Sequence, residues 1–440
     1  MSPAEGSFSG AQNASTPVFV ETSDALPIVS VLVAFRSGAA HDPVGKDGLG
    51  RITARMLRRG SKGVTSQEFE EAVDALGGEF AADASVSAST VHFEVIRRNL
   101  DVFVDRLTQT LAEPSFDEAE MQRLLREAEA ELIEARDSDR SLASRAFRRT
   151  LFAGHPYGRR VSGSIATLRG LTPADARAFY ARHFTRNNAV IAISGDIEAA
   201  EGQALAERLL AGLPAGEPIG DPVQPPDRLP GRHLVFVDKP ERTQTQMVIG
   251  GLGTDARDPD HIPLLVANTV FGGTFTSRLM QEVRAKRGWS YGASSRVGFD
   301  RQRDAFTMWT APAATDAASC LALELELLHA FRSEGITQAE LDFVKRYLVR
   351  SHAFEIDTAR KRVHQRLEVE LFGLPADYHE SYLPKVEAVT VESANEAVKA
   401  RLSEDDLVIG VVGTHAEIGE GIAKAIPTLG DVTVIPFDQE

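Results

Sequence analysis

The chain is predicted to be an α+β protein built from two copies of one domain. Matched segments recur at a nearly constant spacing, and both halves carry the same mixture of alternating strands and amphipathic helices. Between them lies a Pro- and Gly-rich stretch without apolar periodicity.

Pro17–Val20 (PVFV) matches Leu234–Val237 (LVFV) at an offset of 217, and Asp42-Pro43 matches Asp258-Pro259 at 216. AEMQRLLR from Ala119 matches AELDFVKR from Ala339 at 220, and Asn188–Asp196 matches Asp406–Thr414 at 218. So small a drift over half a chain is the mark of internal duplication. The length of 440 residues also exceeds what one ordinary core supports. The boundaries that follow are a flexible tail at 1–16, a first domain at 17–210, a linker at 211–232 and a second domain at 233–440. Two such α/β-sandwich domains on a flexible strap form a clamshell able to enclose a cavity.

The first half opens with PIVSVLVAF (Pro27–Phe35), in which Ile28, Leu32 and Ala34 face opposite Val29, Val31, Val33 and Phe35. A helix follows, then a strand region at Val86–Ile96, with His92 placed on its exposed face. Long helices are expected over Leu100–Leu111 and Asp117–Arg136, and another after the start signal Thr172-Pro173. The apolar strand AVIAISG closes the half. Strands and helices are mixed rather than strictly alternating, which favours an α+β sandwich over a doubly wound parallel sheet.

A formal charge of −15 argues against nucleic acid or an anionic membrane surface as partner. No apolar run approaches the ~18–20 residues of a membrane span. The opening MSPAEGSFSGAQNAS has neither a basic nor an apolar leader region, so the expectation is a cytoplasmic protein, or a periplasmic one whose leader has been removed. The single Cys320 lies in an apolar run and reads as a core thiol. No two of the 11 histidines fall within one helical turn or one strand of each other, so no local metal-binding pair exists.

Two motifs carry chemistry. Gly48–Leu57 reads GLGRITARML, and it resembles the motif G-L-x-H-x-x-E-H-M-L of the insulinase/pitrilysin-type zinc metallopeptidases, the family of mitochondrial processing peptidase. Two His at i and i+4 share a metal on one helix face, and the Glu between them activates bound water. Carried over by position, the first His becomes Arg51, the Glu becomes Ala54 and the second His becomes Arg55. The resemblance places the third ligand at Glu131, in EAELIEAR. Guanidinium offers no lone pair and stays charged. Arg51 and Arg55 therefore read as a basic helix face, with Glu131 their ion-pair partner, and no zinc is expected on this chain.

The second motif, FGGTFTSRLMQEVRAKRGWSYGASS (Phe271–Ser295), resembles the same family's second-domain signature S-R-L…R-x-x-R-G-x-x-Y. The resemblance implies that Arg284 and Tyr291 bind substrate and stabilise the reacting carbonyl. The pattern also stands alone: a helix over Thr276–Lys286, ended by Arg287-Gly288, then a strand from Trp289, would converge Arg284 and Tyr291 on one cleft. Gly272-Gly273 reads as a helix-entry turn and implies no nucleotide.

With the first motif emptied and the second intact, the resemblance implies a non-catalytic subunit of a heterodimeric zinc peptidase acting on unfolded peptides. Its partner would be a homologous subunit that carries H-x-x-E-H and the zinc. The alternatives are a purely structural scaffold, like the core proteins of mitochondrial ubiquinol–cytochrome c reductase, and an independent peptidase with another metal arrangement.

Overall fold

The computed structural model describes residues 16–217, 219–220 and 223–439. The proposed tail thus lies, apart from Thr16, outside the described residues, as do three positions of the linker.

The first half forms one sheet from β1 (Val18–Thr22), β2 (Ile28–Phe35), β3 (Gly78–Ala84), β4 (Ser89–Ile96) and β5 (Ala189–Gly195), in the order β1-β5-β2-β4-β3. The second forms a sheet from β6 (Arg232–Asp238), β7 (Gln246–Leu252), β8 (Ala293–Phe299), β9 (Arg303–Thr310), β10 (Leu407–Gly413) and β11 (Leu429–Pro436), in the order β11-β6-β10-β7-β9-β8. Apart from β11, which adds outside β6, the two orders are identical. In both, the first strand of the repeat runs parallel to its central neighbour, β1 to β5 and β6 to β10; β11 also runs parallel to β6, and the other pairings are antiparallel. Duplication in the sequence is duplication in topology.

Each sheet has two apolar faces, and they are covered differently. Val29, Val31, Val33 and Phe35 of β2 point into a core closed by that half's own helices, among them Leu49–Met56, Leu100–Ala112 and Glu118–Glu134. The opposite face, with Ala34, Val190 and Ala192, is covered by Val363, Leu367 and Leu371 from helix Ala359–Phe372 of the second half. The reverse also holds. Leu142, Ala143, Ala146, Phe147 and Leu151 of helix Asp139–Leu151, in the first half, cover Val235, Val237, Val248, Val408 and Val412 of the second sheet. These two helices are repeat equivalents, so the halves exchange the same element. The approach is close at Gly410, where an added Cβ would lie 3.0 Å from the Ala143 carbonyl oxygen.

Ion pairs and hydrogen bonds flank the exchange. Arg148 Nη1 donates to Asp304 Oδ1 at 2.8 Å, Arg362 Nε to Glu21 Oε1 at 2.9 Å, and Arg301 Nη2 to the Ser87 carbonyl at 3.0 Å. The interlock, and not the linker alone, joins the halves. The linker is itself pinned in places: Val223 is buried, and its carbonyl accepts from Gln302 Nε2 at 3.1 Å.

The exchange corrects one expectation. His92 is not exposed: its face of β4 lies under the exchanged helix, its Nε2 is 3.1 Å from Ser30 Oγ, and burial, helped by Arg360 and His364, pushes its pKa down to about 4. Cys320 is a core thiol, at 0% exposure. Among the described residues no helix is long and apolar enough to cross a membrane.

Beside Cys320 in the second core lies Glu324, also 0% exposed. Its Oε2 accepts from Thr310 Oγ1 at 2.9 Å, its Oε1 has no hydrogen-bond partner among the described residues, and burial pushes its pKa up to about 8.

Two outcomes follow. Expressed separately, residues 16–217 and 223–440 should each expose one sheet face, fail to fold as monomers and regain structure only on mixing. A cooperative thermal transition from either fragment alone would contradict the interlock. Glu324 keeps in the fold a proton that the unfolded chain releases near ~4.3. Its contribution to stability is therefore full below that value and falls as pH rises toward 8. Wild type should lose melting temperature relative to Glu324→Gln between pH 5 and pH 8, and a difference that does not change with pH would refute this.

Candidate functional site

The helix Leu49–Met56 is set by its N-terminus. Gly48 adopts φ 97°, and Asp42 accepts from the backbone N–H of Gly48 at 2.8 Å and of Gly50 at 2.7 Å. These bonds satisfy helix-terminal donors that would otherwise be buried without partners. Thus anchored, the helix buries Leu49, Ile52, Thr53, Ala54 and Met56 and turns Arg51 and Arg55 toward helix Glu118–Glu134.

There the two arginines meet Glu131. Arg55 grips the carboxylate with both ends of its fork, Nη2 to Oε1 at 2.7 Å and Nη1 to Oε2 at 3.0 Å. Arg51 Nη1 reaches Oε2 at 3.2 Å, and its Nε donates to Asp83 Oδ1 on β3 at 2.9 Å. Burial works to raise the Glu131 pKa, but hydrogen bonds and charge from Arg55 and Arg51 outweigh it and hold the carboxyl below its ordinary range. The three positions named by the motif are thus brought together, with Asp83 as a fourth member that no motif pointed to. The sequence pattern reads as a solvated basic helix face, but here the arginine side chains are only 22% and 21% exposed.

These residues do not fit a zinc ion. Both histidine positions carry cationic groups without acceptors, and both oxygens of the remaining carboxylate are engaged by guanidinium. The adjoining cleft of about 660 Å³ contains Arg58, Arg59 and Arg123 too, but Glu70 and Glu127 pair with them, which argues against an anion site. Among the described residues no group of three or more His, Cys, Asp or Glu could hold a metal. The fold does bring two sequence-distant histidines together, His41 and His183, with ring centroids 5.3 Å apart.

The second motif lies between helix His261–Phe271 and β8. Its helical segment is wider than the sequence suggested, because Met280–Ala285 forms a π-helical turn. π turns are rare and are frequently found at functional sites. The strand begins at Ala293, not at Trp289, so Tyr291 sits in the loop before it. Arg284 and Tyr291 still converge: the guanidinium carbon lies 4.7 Å from the Tyr291 ring centroid and 5.0 Å from that of Phe275. Tyr291 is 85% exposed and Phe275 72%. Nearby cations are neutralised, Arg278 by Glu340 and both Lys286 and Arg287 by Glu282. Arg284 has no carboxylate partner among the described residues, so its donors are open to a ligand.

Fold and sites together define a chain of two duplicated α+β domains, with a paired Arg/Glu cluster in the first and an open Arg/Tyr pair in the second. The comparisons name the family. Residues 18–164 match the model for insulinase (peptidase family M16), and residues 170–348 match that for the peptidase M16 inactive domain. The chain belongs to peptidase family M16. It is 23% identical to the "Non-peptidase homolog YmxG" of Helicobacter pylori over 91% of this chain and 92% of that protein. It is 26% identical to an "Uncharacterized zinc protease" of Mycobacterium leprae over 84% of this chain and 83% of that one. Among solved structures, a peptidase M16 inactive domain from Pseudomonas fluorescens superposes with a TM-score of 0.84 at 26% identity, covering 91% of this chain and 98% of that one. A chain of complex III2 from Candida albicans shares the fold, with a TM-score of 0.75 at 16% identity over 93% of this chain and 97% of that one.

Because Glu131 lies against both arginines, the correspondence with the family's metal ligands can be tested directly. Arg51→His combined with Arg55→His should restore two imidazoles at i and i+4 beside a freed carboxylate and bind close to one zinc per chain by elemental analysis. A double variant that folds yet takes up no more zinc than wild type would show that these positions do not correspond to the family's ligands.

Proposed function

We propose that this chain is the non-catalytic subunit of a heterodimeric M16 peptidase, and that it presents Arg284 and Tyr291 to a peptide held at the partner's metal site. The observation that carries the reading is the open pair itself: an exposed phenol beside a guanidinium without a carboxylate, in a segment whose other cations are neutralised. A scaffold gains nothing from leaving such a pair uncovered. The paired Arg51, Arg55 and Glu131 support the same division of labour, since the metal chemistry would then belong wholly to the partner.

The chain's own part is electrostatic. A guanidinium and a phenolic O–H fixed before reaction stabilise negative charge that develops on a carbonyl oxygen, without the reorganisation that water would need. The sheet edges suit an unfolded peptide. Both β3 and β8 are edge strands, and β8 begins two residues after Tyr291. An extended peptide laid along such an edge is held mainly through its backbone, which favours breadth of sequence. The scaffold reading shares the fold and differs in one respect: it assigns no role to the pair.

In a complex reconstituted with a homologous subunit carrying H-x-x-E-H, Tyr291→Phe should lower kcat by about 10²–10³, the ~2.7–4 kcal/mol typical of one oxyanion donor. The isolated chain should show no peptidase activity. Unchanged turnover in Tyr291→Phe would favour the scaffold.

A further inference from the structure

Beside the point where the linker enters β6, a pocket of about 250 Å³ is lined by Arg228, Arg303, Arg332, Lys399 and Arg401 and by a single carboxylate, Asp406. Asp406 is committed: it pairs with Arg228 and also accepts from the Gly231 N–H at 2.9 Å and from Ser403 Oγ at 3.1 Å. Arg401 is held by Asp258 at 3.0 Å and by Asp260 at 2.8 Å, and Arg332 Nη1 donates to Glu404 at 2.7 Å. Other donors on the pocket stay open. Arg303, the first residue of β9, is half-buried; its Nε donates to the Gly253 carbonyl at 2.9 Å, and it has no carboxylate partner among the described residues. Burial, and next the charge of Arg401, hold its pKa below the ordinary value. Lys399 is exposed and makes neither a hydrogen bond nor an ion pair with the described residues. The Nε of Arg332 is buried without a hydrogen-bond partner among them.

Cations in the last turn of a helix offset its dipole, and Arg332 and Lys399 lie in the last turns of helices Ala317–Ser333 and Val391–Arg401. That accounts for neither Arg228 nor Arg303, which come from the linker and from a strand. Nor does the fold require a lysine at position 399. Helix Pro173–His183, the repeat equivalent of Val391–Arg401 and equal to it in length, meets its dipole with Arg182 and places Ala181 where Lys399 stands. The cleft beside Arg51 differs in kind, since Glu70 and Glu127 match its arginines. A buried donor without a partner is costly. A guanidinium and an ammonium facing one small pocket are met together by an anion of two charges. We propose that this pocket binds a phosphate dianion, free or as the terminal group of a small ester, which accepts from Arg303, Lys399 and Arg332 Nε. The volume suits a phosphate with a few further atoms, not an extended peptide. The site shares no residue with the Arg284–Tyr291 pair and stands whether or not that pair acts in trans.

Calorimetry on the full chain tests this with inorganic phosphate, glycerol 2-phosphate and acetate, at constant ionic strength and at about pH 8, where phosphate groups carry close to two charges. Wild type should bind one phosphate per chain, about ten-fold more tightly than acetate. Lys399→Ala and Arg303→Gln should each weaken phosphate about ten-fold, and Arg58→Gln, in the first-repeat cleft, should leave it unchanged. Lys399→Ala removes no contact of the fold, so its melting temperature without phosphate should match that of wild type. The rise that phosphate produces in wild type should shrink in this variant. Equal affinity for phosphate and its ester supports the phosphate group itself as ligand. Tighter binding of the ester supports a small phosphorylated molecule, and failure of the ester to compete supports free phosphate. Absence of saturable binding at millimolar phosphate, or phosphate bound no more tightly than acetate, would overturn the proposal. So would an affinity unmoved by both Lys399→Ala and Arg303→Gln, or lowered as much by Arg58→Gln, which would mark diffuse attraction.

Discussion

Each half of this chain builds a sheet with two apolar faces but supplies helices enough for only one. Apolar surface left in water costs roughly 25 cal/mol per Å², so the second face has to be covered. The covering helix comes from the other half: Val363, Leu367 and Leu371 in one direction, Leu142, Phe147 and Leu151 in the other. This mutual dependence sets the geometry of everything else. It places the two repeats in one fixed relation, half-buries His92 and sets the small residues Ala34, Ala192 and Gly410 where helix meets sheet.

On that frame the two repeats have been put to different uses. In the first, the Leu49–Met56 helix turns Arg51 and Arg55 onto Glu131. Arginine suits that contact because its fork matches a carboxylate. Such pairs offset the cost of partly burying charge more than they add stability. This part of the first repeat is therefore closed: Arg51, Arg55, Arg58 and Arg59 each have a carboxylate partner.

Much of this was legible from residues alone. The repeat offsets fixed the strand equivalences, and the alternation in Val29–Phe35 named the right core face. The capping box of Thr172 with Asp175 starts a helix where Thr172-Pro173 had marked one. What was not legible has one physical source, contacts between residues far apart in the chain. The apolar pattern of a helix says that one face is buried but not under which sheet, so the exchange could not be read. The same ignorance placed His92 in solvent and left Asp83 and Phe275 unnoticed. Nor does helical periodicity distinguish an α from a π turn, which is why Trp289 was expected to open a strand that begins at Ala293.

The contrast between the repeats bears on why the second motif remains open. Exposed aromatic rings are a solubility liability, and a chain of net charge −15 has polar groups enough to cover them. At the first repeat's site, charges were matched until little was left to engage. At the second, Arg284 lies between Phe275 and Tyr291 with no carboxylate partner among the described residues, although Glu282 and Glu340 in the same region are committed to other cations. The second site thus keeps a cation between two exposed rings, where the first has matched its arginines with carboxylates.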